Sequence, residues 1–396
     1  MTIPLYVDGL GCRRTSSSLL RALIVMPLGT QRGGCEVMLQ QLLEYREKAG
    51  LEPTVAFLER GPMVDWCGRH GVRAVTIDAG RLRQPRMFGR TVRALIQTAA
   101  RTRSEVVIGW MAKGQVYAGV TAAGARLPSV WLQPGRPTAV SPLDRAATLL
   151  PASLVVTLSR GVERAQSELW PRRPIALVYP AVDTSRFDVR RIGDQGATRR
   201  RLGLPEDVPI FGSVGRLDRW KGFHVLVDAV PEVVKFHPDA MLVLVGGPHE
   251  FDPSYADELG DQVGRLGLRG HVLLVGQQPN PEEWMQAMDV FCHTSENEPF
   301  GIVVIEAMAL GKAVVASAEG GPTEIITPGV DGLLSPYGNE RALSDAIVRL
   351  LDDSELRRRV GAAAQRRAAD FTVQAYARRF GDVVADAVRG SSRFAL

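Results

Sequence analysis

The feature that most restricts the fold of this chain is a repeating order of short segments. An apolar run rich in β-branched residues is followed by a glycine turn and then by about a dozen residues with helical spacing, and this order recurs along two stretches. It predicts βα units on parallel sheets, one sheet for each stretch. The predicted strands span residues 22–26, 54–57, 74–77, 106–108, 129–131 and 154–156, then 210–213, 241–245, 271–274, 290–292 and 313–315, with helices such as 36–47 and 90–101 between them.

The length of 396 residues supports two to three domains at about 150 residues each. Residues 180–203 have no sustained apolar period, which predicts a hinge or linker between the two stretches. Three consecutive helices without strands are predicted near the end. The expected organisation is a flexible leader at 1–18, a first α/β domain at 19–185, a second at 186–370 and a final helix at 371–396 that packs back on the first domain.

Composition excludes several classes of protein. With 45% hydrophobic and 23% charged residues, the chain is neither disordered nor a coiled coil as a whole. No apolar run is long enough to span a bilayer. Because no pair of cysteines has C-x-x-C spacing, we expect buried free thiols in a reducing compartment, and therefore a cytoplasmic protein. The cysteines are Cys12, Cys35, Cys67 and Cys292.

Charge is distributed unevenly along the chain. The net charge is +5, but the excess of Lys and Arg lies in the first 185 residues, whereas the remainder has more Asp and Glu. A basic half predicts an anionic ligand or surface, and residues 81–86 and 90–103 are candidates for peripheral contact with a membrane leaflet. A solvated cationic surface is the alternative. Nucleic acid is not expected as a partner, since the arginines are not interleaved with aromatic residues.

The densest chemical signal lies just after the predicted strand 290–292. Pro299 is suited to begin a helix, and the first amides of that helix would form a phosphate cradle. Glu298 and Glu306 flank this start, so the two carboxylates can bind hydroxyls at the two ends of a sugar nucleotide. For Glu306 alone, an ordinary exposed helix position is the alternative. The amides in question belong to Phe300, Gly301, Ile302 and Val303.

Three glycine-containing loops follow other predicted strands. Gly215, Arg216 and Lys221 lie in the loop after strand 210–213, where the two cations can grip a diphosphate or can simply be surface charges. The pair Gly33 and Gly34 follows the first strand, and is either a ligand-facing loop or a simple beginning of a helix. A third pair, Gly320 and Gly321, either lines the same pocket or forms a plain turn. Because open α/β sheets bind ligands at the carboxyl ends of their strands, two such domains predict two substrates held across one cleft.

These motifs, and the order in which they follow one another along the chain, resemble those of retaining GT-B glycosyltransferases of family 4, the glycosyl transferases group 1 type. The resemblance extends over about residues 20–390. The resemblance implies two facing Rossmann-like domains with a final helix crossing back. It also implies that Arg216 and Lys221 hold the donor diphosphate, Glu306 the ribose hydroxyls and Glu298 the transferred sugar. By the same resemblance, the amides at 301–303 cap the phosphates, and backbone near Gly276 and Gln277 meets the base.

One position departs from the pattern of these relatives. Many of them have a histidine facing the donor sugar at the end of the strand that corresponds to 129–131, where this chain has Gln133. Either Gln133 supplies the missing hydrogen bond or the enzyme is weakened.

The expected function is retaining transfer of a hexose from a UDP- or GDP-sugar to a hydroxyl of a glycan, glycolipid or small-molecule acceptor. No D-x-D motif occurs, so no metal or other cofactor is expected besides the donor. Two alternatives remain open: a non-catalytic or weakened sugar-nucleotide-binding protein, and a GT-B nucleotide-sugar epimerase. The expected location is cytoplasmic, with peripheral contact at the inner face of the membrane as an option.

Overall fold

The structure is a computed structural model that describes residues 19–248 and 252–392. The predicted leader at 1–18, Cys12 and the last four residues lie outside this described part. Two parallel sheets with helices on both faces form the framework. This confirms the α/β fold class expected from the repeating order of strand, turn and helix.

The first sheet has seven strands in the order β3-β2-β1-β4-β5-β6-β7, all parallel. Its strands are β1 (Leu20–Met26), β2 (Leu51–Phe57), β3 (Arg73–Thr76), β4 (Val106–Trp110), β5 (Ser129–Gln133), β6 (Leu154–Thr157) and β7 (Ile175–Leu177). The helices between them are α1 (Gly34–Glu44), α2 (Pro62–Arg69), α3 (Pro85–Arg101), α4 (Met111–Ala125), α5 (Pro142–Leu149) and α6 (Arg160–Ser167). The central strands form continuous apolar runs because helices cover both faces of the sheet.

The second sheet has six strands in the order β10-β9-β8-β11-β12-β13. Its strands are β8 (Ile210–Val214), β9 (Met241–Val245), β10 (Val272–Gly276), β11 (Val290–His293), β12 (Ala313–Ser317) and β13 (Leu333–Ser335). The helices are α7 (Val189–Ile192), α8 (Gln195–Leu202), α9 (Phe223–Phe236), α10 (Ser254–Arg265), α11 (Pro281–Ala287), α12 (Ile302–Ala309) and α13 (Pro322–Ile325), followed by α14 (Glu340–Asp352), α15 (Ser354–Ala368) and α16 (Val373–Ser392).

The segment 180–203, predicted to be a hinge or linker because it has no sustained apolar period, contains the short helices α7 and α8. Helix α8 is highly charged, yet Arg199 is buried and forms a 2.7 Å ion pair with Asp289. The same guanidinium donates to the carbonyl of Ala287 at 2.8 Å. These contacts come from residues far along the chain, so a local apolar period could not reveal the helix.

The last helix returns to the first domain. In α16, the Tyr376 hydroxyl donates to the Met38 carbonyl of α1 at 3.4 Å. Further along α16, a Cβ on Gly381 would overlap the backbone of Ala49, so the helix lies directly on the first domain. No helix in the described ranges combines the length and the apolar character that a membrane crossing needs.

A carboxylate of the second domain joins the two domains at one side of the cleft. Glu324, in α13, accepts hydrogen bonds from the backbone amides of Arg160 and Gly161 at 3.0 and 3.1 Å. It also accepts one from the Tyr179 hydroxyl at 3.0 Å. Because those amides begin α6, Glu324 acts as an anion at the N-terminus of a helix in the other domain.

Candidate functional site

A buried cluster of ionisable side chains lies where β8 and β11 end at the edge of the second sheet. Lys221 Nζ lies 2.6 Å from Glu298 Oε2, and both side chains are largely buried. His293, the last residue of β11, places its Nε2 3.1 Å from the same oxygen. Ser295 Oγ lies 3.1 Å from that nitrogen. Lys221 and Glu298 are far apart in the sequence, and the fold brings their side chains into contact.

The cluster keeps Glu298 ionised. Burial alone raises the pKa of a carboxyl group, but the neighbouring Lys221 and the hydrogen bond from His293 outweigh it and hold the pKa of Glu298 well below its usual value. The site therefore presents a fixed anion beside a fixed cation.

The loop that carries Lys221 is pressed against the end of β11. Gly222 has φ of +68°, and a Cβ there would overlap the Thr294 carbonyl. Thr294 Oγ1 in turn donates to the Gly222 carbonyl at 2.8 Å. A larger residue would open this contact, so the glycine that follows Lys221 sets how closely the ammonium approaches Glu298.

Arg216 extends from the end of β8 toward the first domain. Its guanidinium donates to the Arg32 carbonyl at 3.2 Å and lies 3.8 Å from Asp218. Gly33 follows Arg32, and its amide donates to the buried Glu36 carboxylate at 2.8 Å. The predicted cation and the first-domain glycine loop therefore meet across the cleft. Gly215, just before Arg216, bonds to the end of β9.

Helix α12 begins three residues later than the sequence analysis placed it. Gly301 is its N-cap with φ of +99°, and Ile302 is the first helical residue. The amide of Val304 already donates to the Gly301 carbonyl at 2.9 Å, which leaves the amides of Ile302 and Val303 for a ligand. Gly34 faces this helix start, since a Cβ on it would lie 2.8 Å from the Ile302 side chain.

The side chain of Phe300 lies away from the helix start, at the junction of the domains. Its ring is 5.7 Å from those of Tyr179 and Phe371, where the chain crosses between the domains. The interpretation of Phe300 as a donor-binding residue rests only on its amide. The side chain instead packs the loop before α12 against the two segments, at Tyr179 and Phe371, where the chain crosses between the domains.

The Gly320–Gly321 turn supports the same loop. The Gly321 amide donates to the Glu298 carbonyl at 2.8 Å. A Cβ on Gly320 would overlap the backbone of Glu298, and one on Gly321 would overlap the backbone of Phe300. The two glycines are therefore required for close packing against the loop, and a direct contact with a sugar stays a prediction.

Glu306 lies on α12 and is half-buried. Burial raises the pKa of Glu306 to about 7, against the opposing influence of the Arg186 guanidinium. Arg186 itself forms a 2.8 Å ion pair with Glu282. Gln277 lies exposed at the end of β10, the position from which its backbone is expected to meet a base.

Gln133 is buried at the end of β5, where its amide donates to Asp144 at 3.4 Å. Three residues later, the Arg136 guanidinium donates to the Asn297 side chain across the cleft at 2.8 Å. Asn297 precedes Glu298 and has φ of +48°. The residue from this loop that approaches the cluster is therefore Arg136, which sequence reasoning missed. His293 was also missed, although it begins the motif that contains Glu298.

Among the described residues, no group of three or more His, Cys, Asp and Glu side chains is arranged to hold a metal ion. The described cysteines, Cys35, Cys67 and Cys292, are free thiols.

Residues 194–367 match the family model described as "Glycosyl transferases group 1". D-inositol 3-phosphate glycosyltransferase of Kribbella flavida is 32% identical over 203 residues, covering 50% of this chain and 47% of the relative. The protein of the same name from Stackebrandtia nassauensis is 36% identical over 204 residues, covering 50% and 45%. The chain thus spans about half the length of the curated relatives it matches.

Solved structures resemble nearly the whole chain. Anabaena Alr3699/HepE, crystallised with UDP and glucose, superposes with a TM-score of 0.82 at 25% identity, covering 93% of this chain and 100% of that one. Sucrose-phosphate synthase from Thermosynechococcus elongatus has a TM-score of 0.76 at 23% identity, covering 94% and 100%, and supports the fold. The expected GT-B architecture is confirmed.

Proposed function

We propose that the protein is a retaining hexosyltransferase, because residues 194–367 match the glycosyl transferases group 1 model and the described chain has the GT-B fold. Its donor is a UDP- or GDP-sugar and its acceptor a hydroxyl of a glycan, glycolipid or small molecule. The observation that carries this proposal is the buried Lys221–Glu298 pair beside the open amides that begin α12.

The residues of the site have different roles in the proposed reaction. Arg216 and Lys221 neutralise the departing diphosphate together with the amides of Ile302 and Val303, so no metal ion is required. Glu298 orients the sugar through its hydroxyls. The bond between the anomeric carbon and the phosphate oxygen breaks, and a bond to the acceptor oxygen forms on the same face. The acceptor proton passes to the departing phosphate oxygen.

A donor screen by thermal unfolding tests the proposal. A ligand that binds only the folded protein must raise the melting temperature, and at 100 times Kd it stabilises by about 2.7 kcal/mol. We expect a rise with UDP-glucose or GDP-mannose, and slow donor hydrolysis without acceptor. UMP serves as a control that lacks the second phosphate and the sugar. If UDP- and GDP-sugars neither stabilise nor undergo hydrolysis, the proposal is wrong.

Affinity for UDP-glucose is expected to rise with pH because of Glu306. Ribose hydroxyls donate best to the ionised carboxylate, which forms as the pH passes its pKa of about 7. One hydrogen bond to a charged group corresponds to about tenfold in Kd. Calorimetric titration at pH 6 and pH 8 measures the difference; the phosphates of UDP-glucose do not titrate in this range. Glu306→Gln should abolish the pH dependence, and an unchanged slope in that variant contradicts the role of Glu306.

The raised pKa of Glu306 also makes the free energy of unfolding depend on pH. The folded protein retains a proton on Glu306 that the unfolded chain releases near the ordinary pKa of 4.5. The contribution of this group to the free energy of unfolding therefore falls as the pH rises from about 4.5 to about 7.

We also propose that the first domain approaches an anionic membrane surface or lipid-linked acceptor. Residues 79–104 contain no Asp or Glu, and α3 buries Val92 and Leu95 while its arginines face outward. Five exposed arginines at residues 81–93 of this segment are called here the α3 arginine face: Arg81, Arg83, Arg86, Arg90 and Arg93. Clustered cations near an anionic leaflet contribute about 1 kcal/mol each.

Changing three residues of the α3 arginine face, Arg83, Arg86 and Arg90, to glutamine is expected to weaken binding to phosphatidylserine vesicles by about 100-fold at low salt. Vesicle flotation measures the change. The matched control changes the exposed Arg265, Arg269 and Arg359 of the second domain. Equal loss in both variants, or wild-type binding that added salt does not weaken, contradicts a specific leaflet contact.

A further inference from the structure

His293 occupies a position in the site that neither the sequence motifs nor the family comparison assigns. It ends β11 and is 3% exposed. Its Nε2 lies 3.1 Å from Glu298 Oε2 and 3.1 Å from Ser295 Oγ. A buried imidazole held by a strand has little freedom to move, unlike the long side chain of Lys221.

The hydrogen bonds of the cluster determine which nitrogen of His293 carries the proton. The carboxylate of Glu298 can only accept, so Nε2 must donate. His293 Nδ1 is buried and has no partner among the described residues. An unpaired lone pair at Nδ1 is tolerated more readily than an unpaired N–H, which assigns the donated proton to Nε2 rather than to Nδ1.

Both donors converge on one oxygen of Glu298. Lys221 Nζ and His293 Nε2 contact Oε2, at 2.6 and 3.1 Å. Within the described part of the chain, no donor to Oε1 is seen. Two donors from different directions fix the rotation of the carboxylate about its last bond, and they keep Oε1 as the acceptor for a ligand.

We infer that His293 is a positioning residue that orients the Glu298 carboxylate so that Oε1 accepts a hydroxyl of the transferred sugar. The inference rests on the proposed function, because it assigns the sugar half of the donor to this carboxylate. Lys221 has a different role, since the proposed function also assigns its ammonium to neutralising the departing diphosphate. Loss of His293 should therefore impair recognition of the sugar and leave recognition of the nucleotide intact.

Two variants of His293 test the inference. His293→Leu removes the donor and keeps most of the side-chain volume, whereas His293→Gln keeps an N–H near the position of Nε2. His271→Leu is the control, since the side chain of this half-buried histidine bonds to the Ala240 carbonyl in the same domain. The wild-type protein is first titrated with UDP and UDP-glucose. If the wild-type protein binds none of UDP, UDP-glucose and GDP-mannose, the proposed function is wrong and no variant is needed to show it.

For His293→Leu we expect a Kd for UDP within about twofold of wild type. We expect kcat for UDP-glucose hydrolysis or transfer to fall about tenfold or more, as for one lost hydrogen bond to a charged group. Deoxy analogues of UDP-glucose identify the contact, because the penalty for removing the relevant hydroxyl should disappear in His293→Leu. His293→Gln should recover most of the wild-type rate. It should also restore most of the penalty for removing the relevant hydroxyl from the donor.

Two results overturn the inference while leaving the proposed function standing. One is a His293→Leu protein that loses affinity for UDP and UDP-glucose equally and is not rescued by His293→Gln, which indicates a structural role alone. The other is unchanged kcat and unchanged discrimination among the deoxy donors in His293→Leu.

Discussion

Replacing Lys221 with alanine is expected to lower kcat for glycosyl transfer by about 100- to 1,000-fold, the range seen when a fixed donor to a developing anion is removed. It also leaves the buried Glu298 carboxylate without its cation, so the free energy of unfolding should fall by about 3–5 kcal/mol. Steady-state kinetics and urea unfolding measure the two effects separately.

A double variant separates catalysis from stability. Lys221→Ala combined with Glu298→Gln removes the unpaired charge, so it should recover much of the lost stability and none of the activity. Lys235→Ala is the control, since Lys235 is largely exposed and pairs with Glu232 on the surface of α9. Its stability should change by less than about 1 kcal/mol. A Lys221→Ala enzyme within tenfold of the wild-type rate would contradict the proposed role in neutralising the leaving group.

Gly321→Ala is expected to displace the loop that carries Glu298. The added Cβ would overlap the backbone of Phe300, and backbone cannot move aside as a flexible side chain does. The expected cost is about 1–3 kcal/mol of unfolding free energy. Because a shift of about 1 Å at a reacting group costs about 100-fold in rate, kcat should fall by that order.

Gly260→Ala is the matched control for this substitution. Gly260 lies inside α10, and an added Cβ meets nothing within 4 Å. Alanine there should stabilise the protein by about 0.5–1 kcal/mol, as expected in a helix interior. Urea unfolding and kcat are compared for both variants. If Gly321→Ala keeps the wild-type rate and stability, the Gly320–Gly321 turn does not position the loop that carries Glu298.

The strands were predictable where they are continuous and buried. Strand β9 runs over 241–245 as the sequence indicated, because both faces of a central parallel strand demand apolar residues. Strands β7 and β13 were missed. Each has only three residues, and each lies at the end of its sheet, where pairing with one neighbour rather than a local pattern defines it.

Helix ends and side-chain directions were less predictable. Pro299 indicated a helix start, but Gly301 adopts a left-handed conformation that delays the helix to Ile302. The motif marked Phe300 as part of the site, and only the tertiary structure shows its ring between Tyr179 and Phe371. Conformation at a glycine and packing at a domain junction depend on segments far away in the chain.

By itself, the sequence determined the alternation of strands and helices, the division into two sheets and the types of residue offered to a donor, because these follow from local period and from chemistry at strand ends. Tertiary structure decided which groups meet. Lys221 and His293 converge on one oxygen of Glu298, and Arg136 reaches Asn297 although 161 positions separate them. Such contacts depend on how two domains are oriented by packing at their junction, and no pattern within a short window encodes a distance of that kind.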